Sequence, residues 1–325
     1  MSVTGKRILI TGGAGFIGSH LAQRLVEENQ VVVYDNLHRN AIQFCDVVDH
    51  PNFRIVHGDI MDRATLEEAV RGCQIVIHCA AIAGVYSVVR NSVMTMEVNL
   101  LGTHRALQVA VDAKVERFVH FSTSEVYGPF IHKGKESDPN TIGALGEARW
   151  TYAASKLASE HMAFAYAKEY GLPLVIVRPF NIYGPRQVGE GAIRAMILRA
   201  LTNEPIVLYN DGTQIRAWCF VDDFVHGLLP CLERPEAIGQ VFNLGNPQGT
   251  TTNLELARMI KRLTESNAAI VFQEHPGPEV EVRVPSIEKA AELLGYTPRV
   301  LLEDGILKTM EWYRNHVVLM PVEDR

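Results

Sequence analysis

Short buried strands that alternate with amphipathic helices constrain the fold of this chain more than any other feature. β-Branched runs occur at 7–11, 31–35, 53–57, 75–78, 118–121 and 174–178. Stretches with apolar residues at three- and four-residue spacing lie between them, at 16–28, 64–71, 98–112 and 152–170. Strand, helix and strand at this spacing predict a doubly wound α/β fold, with a parallel sheet covered by helices on both faces.

The second half of the chain follows a different pattern. Beyond residue 179 the predicted strands become sparse, glycine and proline become frequent, and isolated helical stretches stand at 253–264 and 287–294. The length of 325 residues leaves room for a second unit. We therefore expect a main domain over 1–179 and a smaller, mixed substrate-binding lobe over 180–325 that is interleaved with the sheet.

Composition excludes several functional classes. The chain carries 31 Lys and Arg against 37 Asp and Glu, a net charge of −6, so no basic excess indicates a nucleic-acid surface. No window approaches the ~20 apolar residues of a membrane span. The five cysteines and twelve histidines show no metal-binding spacing. We expect a cytoplasmic enzyme with reduced thiols, without a catalytic metal and without a nucleic-acid or membrane partner.

A glycine-rich turn follows the first predicted strand and opens the first predicted helix. The segment 12–18 reads Gly-Gly-Ala-Gly-Phe-Ile-Gly. Glycine lets the backbone turn sharply, and it lets a pyrophosphate approach the N–H groups at the helix N-terminus, where the helix dipole favours an anion. The residues that we expect at the cofactor here are Gly12, Gly15, Phe16, Ile17 and Gly18.

An acidic residue ends the next predicted strand. Asp35 is well placed to accept a hydrogen bond from a ribose 2′-hydroxyl, and Asn36 follows it directly. A carboxylate at this point repels a 2′-phosphate, so NAD is favoured over NADP as the cofactor. Arg39 lies nearby in the sequence and is the one residue that speaks for NADP.

These features resemble the extended short-chain dehydrogenase/reductases, the family of nucleotide-sugar epimerases, dehydratases and decarboxylases. The glycine signature over 11–18 matches this family, as do the Tyr-x-x-x-Lys pair at 152–156 and the segment Arg-Pro-Phe-Asn-Ile-Tyr-Gly-Pro-Arg at 178–186. Matches extend over nearly the whole chain. The resemblance implies a Rossmann domain, NAD as the cofactor, and a nucleoside-diphosphate sugar as the substrate, with a UDP-sugar favoured.

The resemblance also implies further cofactor contacts. Asp59 and Ile60 correspond to a segment whose aspartate contacts adenine. Ala80 and Ala81 correspond to the strand end that lies against the cofactor, and Asn99 to an asparagine on the following helix.

The Tyr152 and Lys156 pair carries the proposed chemistry. Residues four apart share one face of a helix, so the ammonium of Lys156 can favour the tyrosinate and lower the pKa of Tyr152 from its usual ~10. Tyr152 then accepts the proton of a sugar hydroxyl while a hydride leaves to the nicotinamide. This pair, and Thr123 described next, distinguish an enzyme from a catalytically silent NAD-binding sensor.

Three side chains follow the strand at 118–121, where ligands of such sheets collect. By resemblance, Thr123 polarises the C4 oxygen of the sugar, and Ser124 and Glu125 occupy positions that differ between subfamilies. A 4-keto sugar can undergo 4,6-dehydration, decarboxylation if C6 is a carboxylate, or 4-epimerisation. Thr-Ser-Glu resembles the pattern of UDP-glucuronate decarboxylases, and also that of GDP-mannose 4,6-dehydratases.

Other resemblances favour decarboxylation, although one loop differs. Arg216 corresponds to an arginine that meets the substrate near its carboxylate or phosphate, and the run Arg149-Trp150-Thr151-Tyr152 resembles bacterial decarboxylases. The loop at 83–87 instead resembles glucuronate 4-epimerases, with Tyr86 where those enzymes carry arginine. The substrate contacts that we expect are Tyr86, Asn181, Arg186, Arg216 and Arg283, the last at the diphosphate. Our prediction is UDP-glucuronate decarboxylation; 4,6-dehydration and 4-epimerisation are the alternatives.

Family members commonly form dimers through two helices of each subunit. Here these are the helices predicted at 98–112 and 152–170, whose outward apolar residues would form a four-helix bundle. We expect a homodimer, with Ala106 and Ala110 on its interface.

Overall fold

The computed structural model describes residues 3–275 and 277–316. The strands are β1 (Arg7–Thr11), β2 (Gln30–Asp35), β3 (Phe53–His57), β4 (Ile75–His78), β5 (Arg117–Phe121), β6 (Phe130–Gly134), β7 (Leu174–Pro179), β8 (Ile182–Tyr183), β9 (Ile206–Tyr209), β10 (Ile215–Ala217), β11 (Cys219–Phe220), β12 (Gln240–Leu244), β13 (Thr250–Thr252), β14 (Ile270–Gln273) and β15 (Val282–Pro285). The helices are α1 (Phe16–Leu25), α2 (Arg63–Val70), α3 (Val85–Arg90), α4 (Ser92–Met96), α5 (Gly102–Asp112), α6 (Thr151–Tyr170), α7 (Ala192–Leu201), α8 (Val221–Glu233), α9 (Asn253–Thr264), α10 (Glu288–Leu294) and α11 (Leu302–His316).

Seven parallel strands form the main sheet, in the order β12-β7-β5-β4-β1-β2-β3. Alternate residues of β1 point to opposite faces, so Ile8 and Ile10 pack in one core while Leu9 packs in the other. Both cores are apolar, which is why the central strands consist of nearly continuous β-branched residues. The predicted doubly wound parallel sheet is confirmed, and each of its six predicted strands lies within one residue of its predicted bounds.

The seventh strand of this sheet comes from the second half of the chain. β12 pairs in parallel with β7, with Val241 opposite Ile176. Its buried Asn243 donates from Nδ2 to the carbonyl of Gly134 (3.0 Å) and accepts from the Tyr127 hydroxyl (2.9 Å). The sequence does not predict this strand, because a buried polar residue interrupts its apolar pattern.

A smaller mixed sheet has the order β13-β10-β15-β6. Its edge strand β6 comes from the first half of the chain and pairs in parallel with β15. Two pairs of parallel strands, β8 with β11 and β9 with β14, complete the smaller part. The chain therefore crosses the expected boundary at residue 179 in both directions, since β12 joins the main sheet and β6 joins the smaller one.

The helix predicted at 98–112 differs from the observed structure in two respects. It is preceded by α4 and by a π-helical turn over Glu97–Leu101, and its two alanines face inward. Ala106 and Ala110 are fully buried in the core between α5 and the sheet. The expectation that these alanines lie on a dimer interface is wrong, because the small side chains are what allows α5 to pack closely on the strands.

Ala106→Glu is therefore expected to destabilise the protomer itself. A carboxylate in this apolar core has no partner, so the free energy of unfolding should fall by about 3 kcal/mol or more. Urea unfolding measures this change. Gln108→Glu, on the outer side of the same helix near Arg63, is the matched control and should alter stability by less than about 0.5 kcal/mol. Equal stability of Ala106→Glu and the wild type would contradict the packing described here.

Candidate active site

The turn between β1 and α1 packs against the end of β4 without room for side chains. Gly12 has φ of 68°, and a Cβ there would lie 2.6 Å from the backbone nitrogen of Ala80. A Cβ on Gly18 would lie 2.6 Å from the carbonyl oxygen of Gly12. Helix α1 begins at Phe16 after Gly15, and no side chain caps its first N–H groups. The turn thus presents backbone donors at a helix N-terminus, which suits a pyrophosphate.

Asp35 is fixed beside this turn at the end of β2. Its Oδ2 accepts from the N–H of Ala14 (3.0 Å) and its Oδ1 from the N–H of Leu37 (2.7 Å). Burial raises the pKa of Asp35, and these two hydrogen bonds act against that shift. The carboxylate is therefore held in place with lone pairs left for a ribose hydroxyl.

Arg39 is engaged elsewhere and does not extend toward Asp35. Its guanidinium donates to the carbonyl of Ala83 (3.0 Å) and to the hydroxyl of Ser87 (2.9 Å), and it lies 3.5 Å from the carboxylate of Glu190. Arg39 is therefore held by Ala83, Ser87 and Glu190 in the protein chain. Asn36 accepts from the N–H of His38 at the exposed edge of the same turn.

The π-helical turn places Asn99 against the segment that follows β4. Its amide makes two hydrogen bonds with the backbone of Ile82, accepting from the N–H (2.8 Å) and donating to the carbonyl (3.0 Å), and it also donates to the hydroxyl of Ser155 (3.2 Å). Asn99 thereby ties the segment containing Ala80 and Ala81 to helix α6.

Asp59 and Ile60 lie on the neighbouring loop after β3. Asp59 is exposed, its side chain accepts from the N–H of Met61 (2.9 Å), and its carbonyl accepts from the hydroxyl of Tyr34 (2.7 Å). Ile60 is buried against Gly102, whose missing Cβ would lie 2.8 Å from Cγ2 of Ile60.

Helix α6 carries Tyr152 and Lys156 on one face, as the spacing predicts. Lys156 is buried and donates from Nζ to the carbonyl of Phe121 (2.7 Å). Burial lowers the pKa of Lys156 to about 8. The ammonium is thus fixed beneath the end of β5.

The pKa of Tyr152 moves in the direction opposite to our expectation. Burial and the negative charge of Glu125 raise it to about 12, while a hydrogen bond with Thr123 acts to lower it. The prediction that Lys156 sets a low pKa is wrong for the protein chain, because burial and Glu125 together act more strongly. Thr123 itself is buried and caps the turn Ser124–Tyr127, accepting from the N–H of Glu125 (3.1 Å).

Three arginines surround Glu125. Arg283 donates to Oε1 of Glu125, Arg149 lies 3.3 Å from its Oε2, and the charge of Arg216 also acts on it. Burial raises the pKa of Glu125, but the charges of the three arginines, Arg283 above all, outweigh this and lower it. Glu125 is therefore ionised at neutral pH.

The cluster holds more positive than negative charge. Arg216 is anchored through hydrogen bonds to the carbonyls of Ile215 (3.0 Å) and Val280 (2.5 Å). Burial and the charge of Arg283 lower the pKa of Arg216 to about 10, so it stays protonated at neutral pH. The negative charges here are those of Glu125 and of Glu279, which also acts on Arg216. These two charges face three guanidinium groups. An anionic ligand would balance the excess.

The sequence does not predict two of these contacts. The Glu125 to Arg283 pair joins residues 158 positions apart, and no local pattern announces it. Arg149 offered a usable signal, because it lies three residues before Tyr152 where the chain enters α6. A second missed residue is Glu190, which accepts from the N–H groups of Tyr86 and Ser87.

The remaining predicted substrate contacts lie in three different surroundings. Asn181 donates from Nδ2 to the carbonyl of Ala217 (3.0 Å), next to Arg216. The Tyr86 hydroxyl contacts that of Tyr209 at a cavity of about 670 Å³. The guanidinium of Arg186 instead lies against α1, where it donates to the side chain of Gln23 (2.9 Å).

The site combines a dinucleotide-binding turn with a phenol, a hydroxyl and a charged cluster at the carboxyl edge of the sheet. This combination defines the class of NAD-dependent enzymes that oxidise sugars. Residues 8–245 match the model of the NAD dependent epimerase/dehydratase family. The chain belongs to this family. The predictions of the family, of an NAD-dependent enzyme and of its nucleotide-sugar chemistry are confirmed.

Several relatives cover nearly all of the chain. It is 35% identical to the UDP-N-acetyl-alpha-D-glucosaminuronate decarboxylase of Bacillus cytotoxicus, over 95% of this chain and 98% of the relative. It is 35% identical to UDP-glucuronic acid decarboxylase 6 of Arabidopsis thaliana, over 95% and 89%. Its structure is similar to the UDP-glucuronic acid 4-epimerase of Bacillus cereus in complex with UDP-glucuronic acid and NAD, with a TM-score of 0.87, 30% identity and coverage of 95% and 99%.

Within residues 3–275 and 277–316, no group of three or more His, Cys, Asp or Glu side chains is arranged to hold a metal ion. Among the helices of these residues, none has both the length and the apolar character that crossing a bilayer requires.

Asp35→Asn is expected to weaken NAD binding about tenfold, because it removes a charge-assisted hydrogen bond. The affinity for NADP should fall less or rise, since the repulsion of a 2′-phosphate is lost. Isothermal titration calorimetry with each dinucleotide measures both changes. Asp46→Asn, on the exposed turn after Cys45, is the control and should leave both affinities unchanged. An unchanged preference for NAD in Asp35→Asn would show that Asp35 does not select the cofactor.

Proposed function

We propose that this enzyme decarboxylates a UDP-hexuronate, with UDP-glucuronate as its substrate. The observation that carries the proposal is the excess of arginine around Glu125, next to Tyr152. A carboxylate at C6 adds an anion at the sugar end of the site, where a neutral hexose offers none beyond the diphosphate that every nucleotide sugar carries. The two relatives named above, both described as decarboxylases of UDP-hexuronates, support this choice.

The cradle for the cofactor supports NAD as the oxidant. The Gly12 and Gly18 backbone leaves space for a pyrophosphate, and Asp35 offers acceptors for the adenosine ribose. NAD held by these residues would supply the acceptor for a hydride from C4 of the sugar and could return it to the product. Lys156, fixed on the carbonyl of Phe121, lies at the end of β5 where the nicotinamide ribose would be bound.

Tyr152 and Thr123 act at the C4 hydroxyl in this proposal. As a hydride leaves C4, the phenolate of Tyr152 takes the hydroxyl proton, and Thr123 donates a hydrogen bond to the same oxygen. The pKa of Tyr152, raised to about 12 by burial and by Glu125, must fall for this step near neutral pH. A positive charge beside the phenol, such as that of oxidised NAD, acts in this direction.

The 4-keto sugar then loses its carboxylate. The C5–C6 bond breaks, carbon dioxide leaves, and the electron pair moves to the C4 oxygen as an enolate that takes a proton from water at C5. Tyr152, protonated in the first step, donates a hydrogen bond to this oxygen as its charge grows. Arg149, Arg216 and Arg283, which surround Glu125, would hold the carboxylate. For Arg283 this replaces the contact with the diphosphate that the resemblance implies. Glu125 is ionised and cannot donate a proton, but it keeps these guanidinium groups in place.

A second candidate is 4-epimerisation of the same substrate. The loop that carries Tyr86 resembles glucuronate 4-epimerases, and a solved structure of that enzyme class is similar to this chain over 95% of its length. Dehydration finds less support, because Ser124 is a poor acid for a leaving C6 hydroxyl and both oxygens of Glu125 face arginines.

The nucleotide part of the substrate has a candidate location. The cavity of about 670 Å³ is lined by Tyr86 and by residues of α7, β9 and β14, among them Arg199, Tyr209 and Gln273. Aromatic rings suit a flat base, while the guanidinium and amide offer donors to its carbonyls or to a phosphate. We place the uridine diphosphate here.

Nuclear magnetic resonance of the purified enzyme with NAD tests the reaction. We expect UDP-glucuronate to release carbon dioxide and yield a UDP-pentose or its 4-keto form, while UDP-glucose, dTDP-glucose and GDP-mannose remain unchanged. UDP-N-acetylglucosaminuronate is the further arm, and its preferred turnover would correct the sugar but not the reaction. Glu125→Gln should slow carbon dioxide release about 100-fold, because the arginines lose their counter-charge and position.

The exposed ion pair of Glu303 with Arg262 (2.9 Å) provides the control. Glu303→Gln should retain full turnover. Inversion at C4 without release of carbon dioxide would show that the enzyme is a 4-epimerase and would overturn the proposed decarboxylation. Formation of a 4-keto-6-deoxy sugar from a hexose nucleotide would replace it by dehydration.

A homodimer is the assembly that we propose, through a different surface from the one the alanines suggested. Val93 and Met94 on α4 and Leu101 on the π-turn are 73%, 54% and 44% exposed. These helical segments pack beside α6, so the apolar side chains share one side of the protomer. We also propose the cytoplasm as the compartment, which suits the five unpaired thiols.

Val93→Glu with Leu101→Glu is expected to convert the dimer into monomers, because two carboxylates would face their copies across a two-fold interface. Light scattering coupled to size exclusion gives the mass. Leu301→Glu, at a position 61% exposed in the smaller part, should leave the dimer intact. A wild-type particle with the mass of one chain would rule out the homodimer.

A further inference from the structure

Helix α3 begins without a cap from its own sequence. Gly84 precedes its first residue, has φ of 103° and offers no side chain. The N–H groups of Tyr86 and Ser87, the second and third residues of the helix, are those that a capping side chain normally takes. These donors need an acceptor from another part of the chain.

Glu190 supplies this acceptor from the loop before α7. Its Oε2 accepts from the N–H of Tyr86 (2.9 Å), and its Oε1 accepts from the N–H (2.8 Å) and the hydroxyl (2.6 Å) of Ser87. A Cβ on Gly84 would lie 2.6 Å from Cδ of Glu190, so the carboxylate occupies the space that glycine leaves. The side chain of Glu190 is only 11% exposed. A negative charge at this position also suits the helix dipole.

Arg39 completes the cluster from a third segment. Its Nη2 lies 3.5 Å from Oε1 of Glu190, and the guanidinium also donates to Ser87 and to the carbonyl of Ala83. Arg39 follows β2 on the side of the dinucleotide, whereas Glu190 belongs to the second half of the chain. One largely buried carboxylate thus joins three segments that are remote in sequence.

Tyr86 lies at the start of α3, which Glu190 caps, and its side chain lines the substrate cavity. The Tyr86 hydroxyl contacts that of Tyr209 from β9, and both rings line the cavity of about 670 Å³. Since α3 has only six residues and no cap of its own, the position of Tyr86 depends on the carboxylate of Glu190.

We propose that Glu190 is a positioning residue for the nucleotide part of the substrate, acting through Tyr86. This inference rests on the proposed function, in which that cavity receives uridine diphosphate. Glu190 touches neither the reacting atoms nor the charged cluster at Glu125. It therefore governs binding of the nucleotide and leaves the chemical steps at Tyr152 unaltered.

Glu190→Gln tests the proposal, because it keeps the size of the side chain and replaces one acceptor oxygen by a donor. We expect the Kd for UDP, measured by calorimetry with NAD present, to rise about tenfold, an effect equivalent to about 1.4 kcal/mol. The KM for the nucleotide sugar should rise in parallel, with kcat unchanged. Glu303→Gln, which removes the exposed carboxylate of another ion pair, is the matched control and should bind UDP as the wild type does.

A double-mutant cycle with Tyr86→Ala separates positioning from a general loss of structure. If Glu190 acts through Tyr86, then Glu190→Gln adds less than about twofold to the Kd once Tyr86 is truncated. Full additivity, or a Kd for UDP that equals the wild-type value in Glu190→Gln, would overturn the inference. Because UDP binding is measured without turnover, the result does not depend on which reaction follows. A wild-type enzyme that binds no UDP would overturn the proposed nucleotide and this inference together.

Discussion

Parallel pairing of seven strands brings their carboxyl ends to one edge of the sheet, and the active site depends on this constraint. The glycine turn after β1, Asp35 at the end of β2, Ala80 after β4 and Thr123 after β5 all come from that edge. These residues are far apart in the sequence, and the repeated strand and helix unit brings each of them to the same edge. A different strand direction at any of these positions would send its side chain to the opposite end of the molecule.

The buried charges of the site are held at fixed positions and are not fully neutralised by one another. Lys156 is held by a backbone carbonyl, and Glu125 is held by arginines that outnumber it. Burial raises the pKa of Tyr152 and lowers that of Lys156, so neither group is set for catalysis by the protein chain alone. The charges of the cofactor and of an anionic sugar act on these same groups. In the proposed function, binding of both ligands completes the electrostatics of the site.

Exchange of elements between the two halves of the chain connects the parts of the site. β12 closes the main sheet and β6 closes the smaller one. Between them, the buried guanidinium of Arg178 donates to both oxygens of Glu160 (2.8 and 2.7 Å) and to the hydroxyl of Tyr127 (2.8 Å). Tyr127 ends the turn that begins at Ser124 and contains Glu125. This network holds the turn that contains Glu125, and Glu190 in the same way holds the start of α3, which carries Tyr86.

The sequence by itself determined the features that depend on neighbouring residues. Strand and helix periods, the glycine turn before α1 and the spacing of Tyr152 and Lys156 are local, because a few adjacent residues decide each of them. Tertiary structure alone decided the pairing of Glu125 with Arg283, the engagement of Arg39 by Glu190, and the place of β12 in the main sheet. It also turned Ala106 inward and reversed the expected pKa shift of Tyr152. Each of these depends on contacts between remote segments and on burial, and burial is set only when the whole chain has packed.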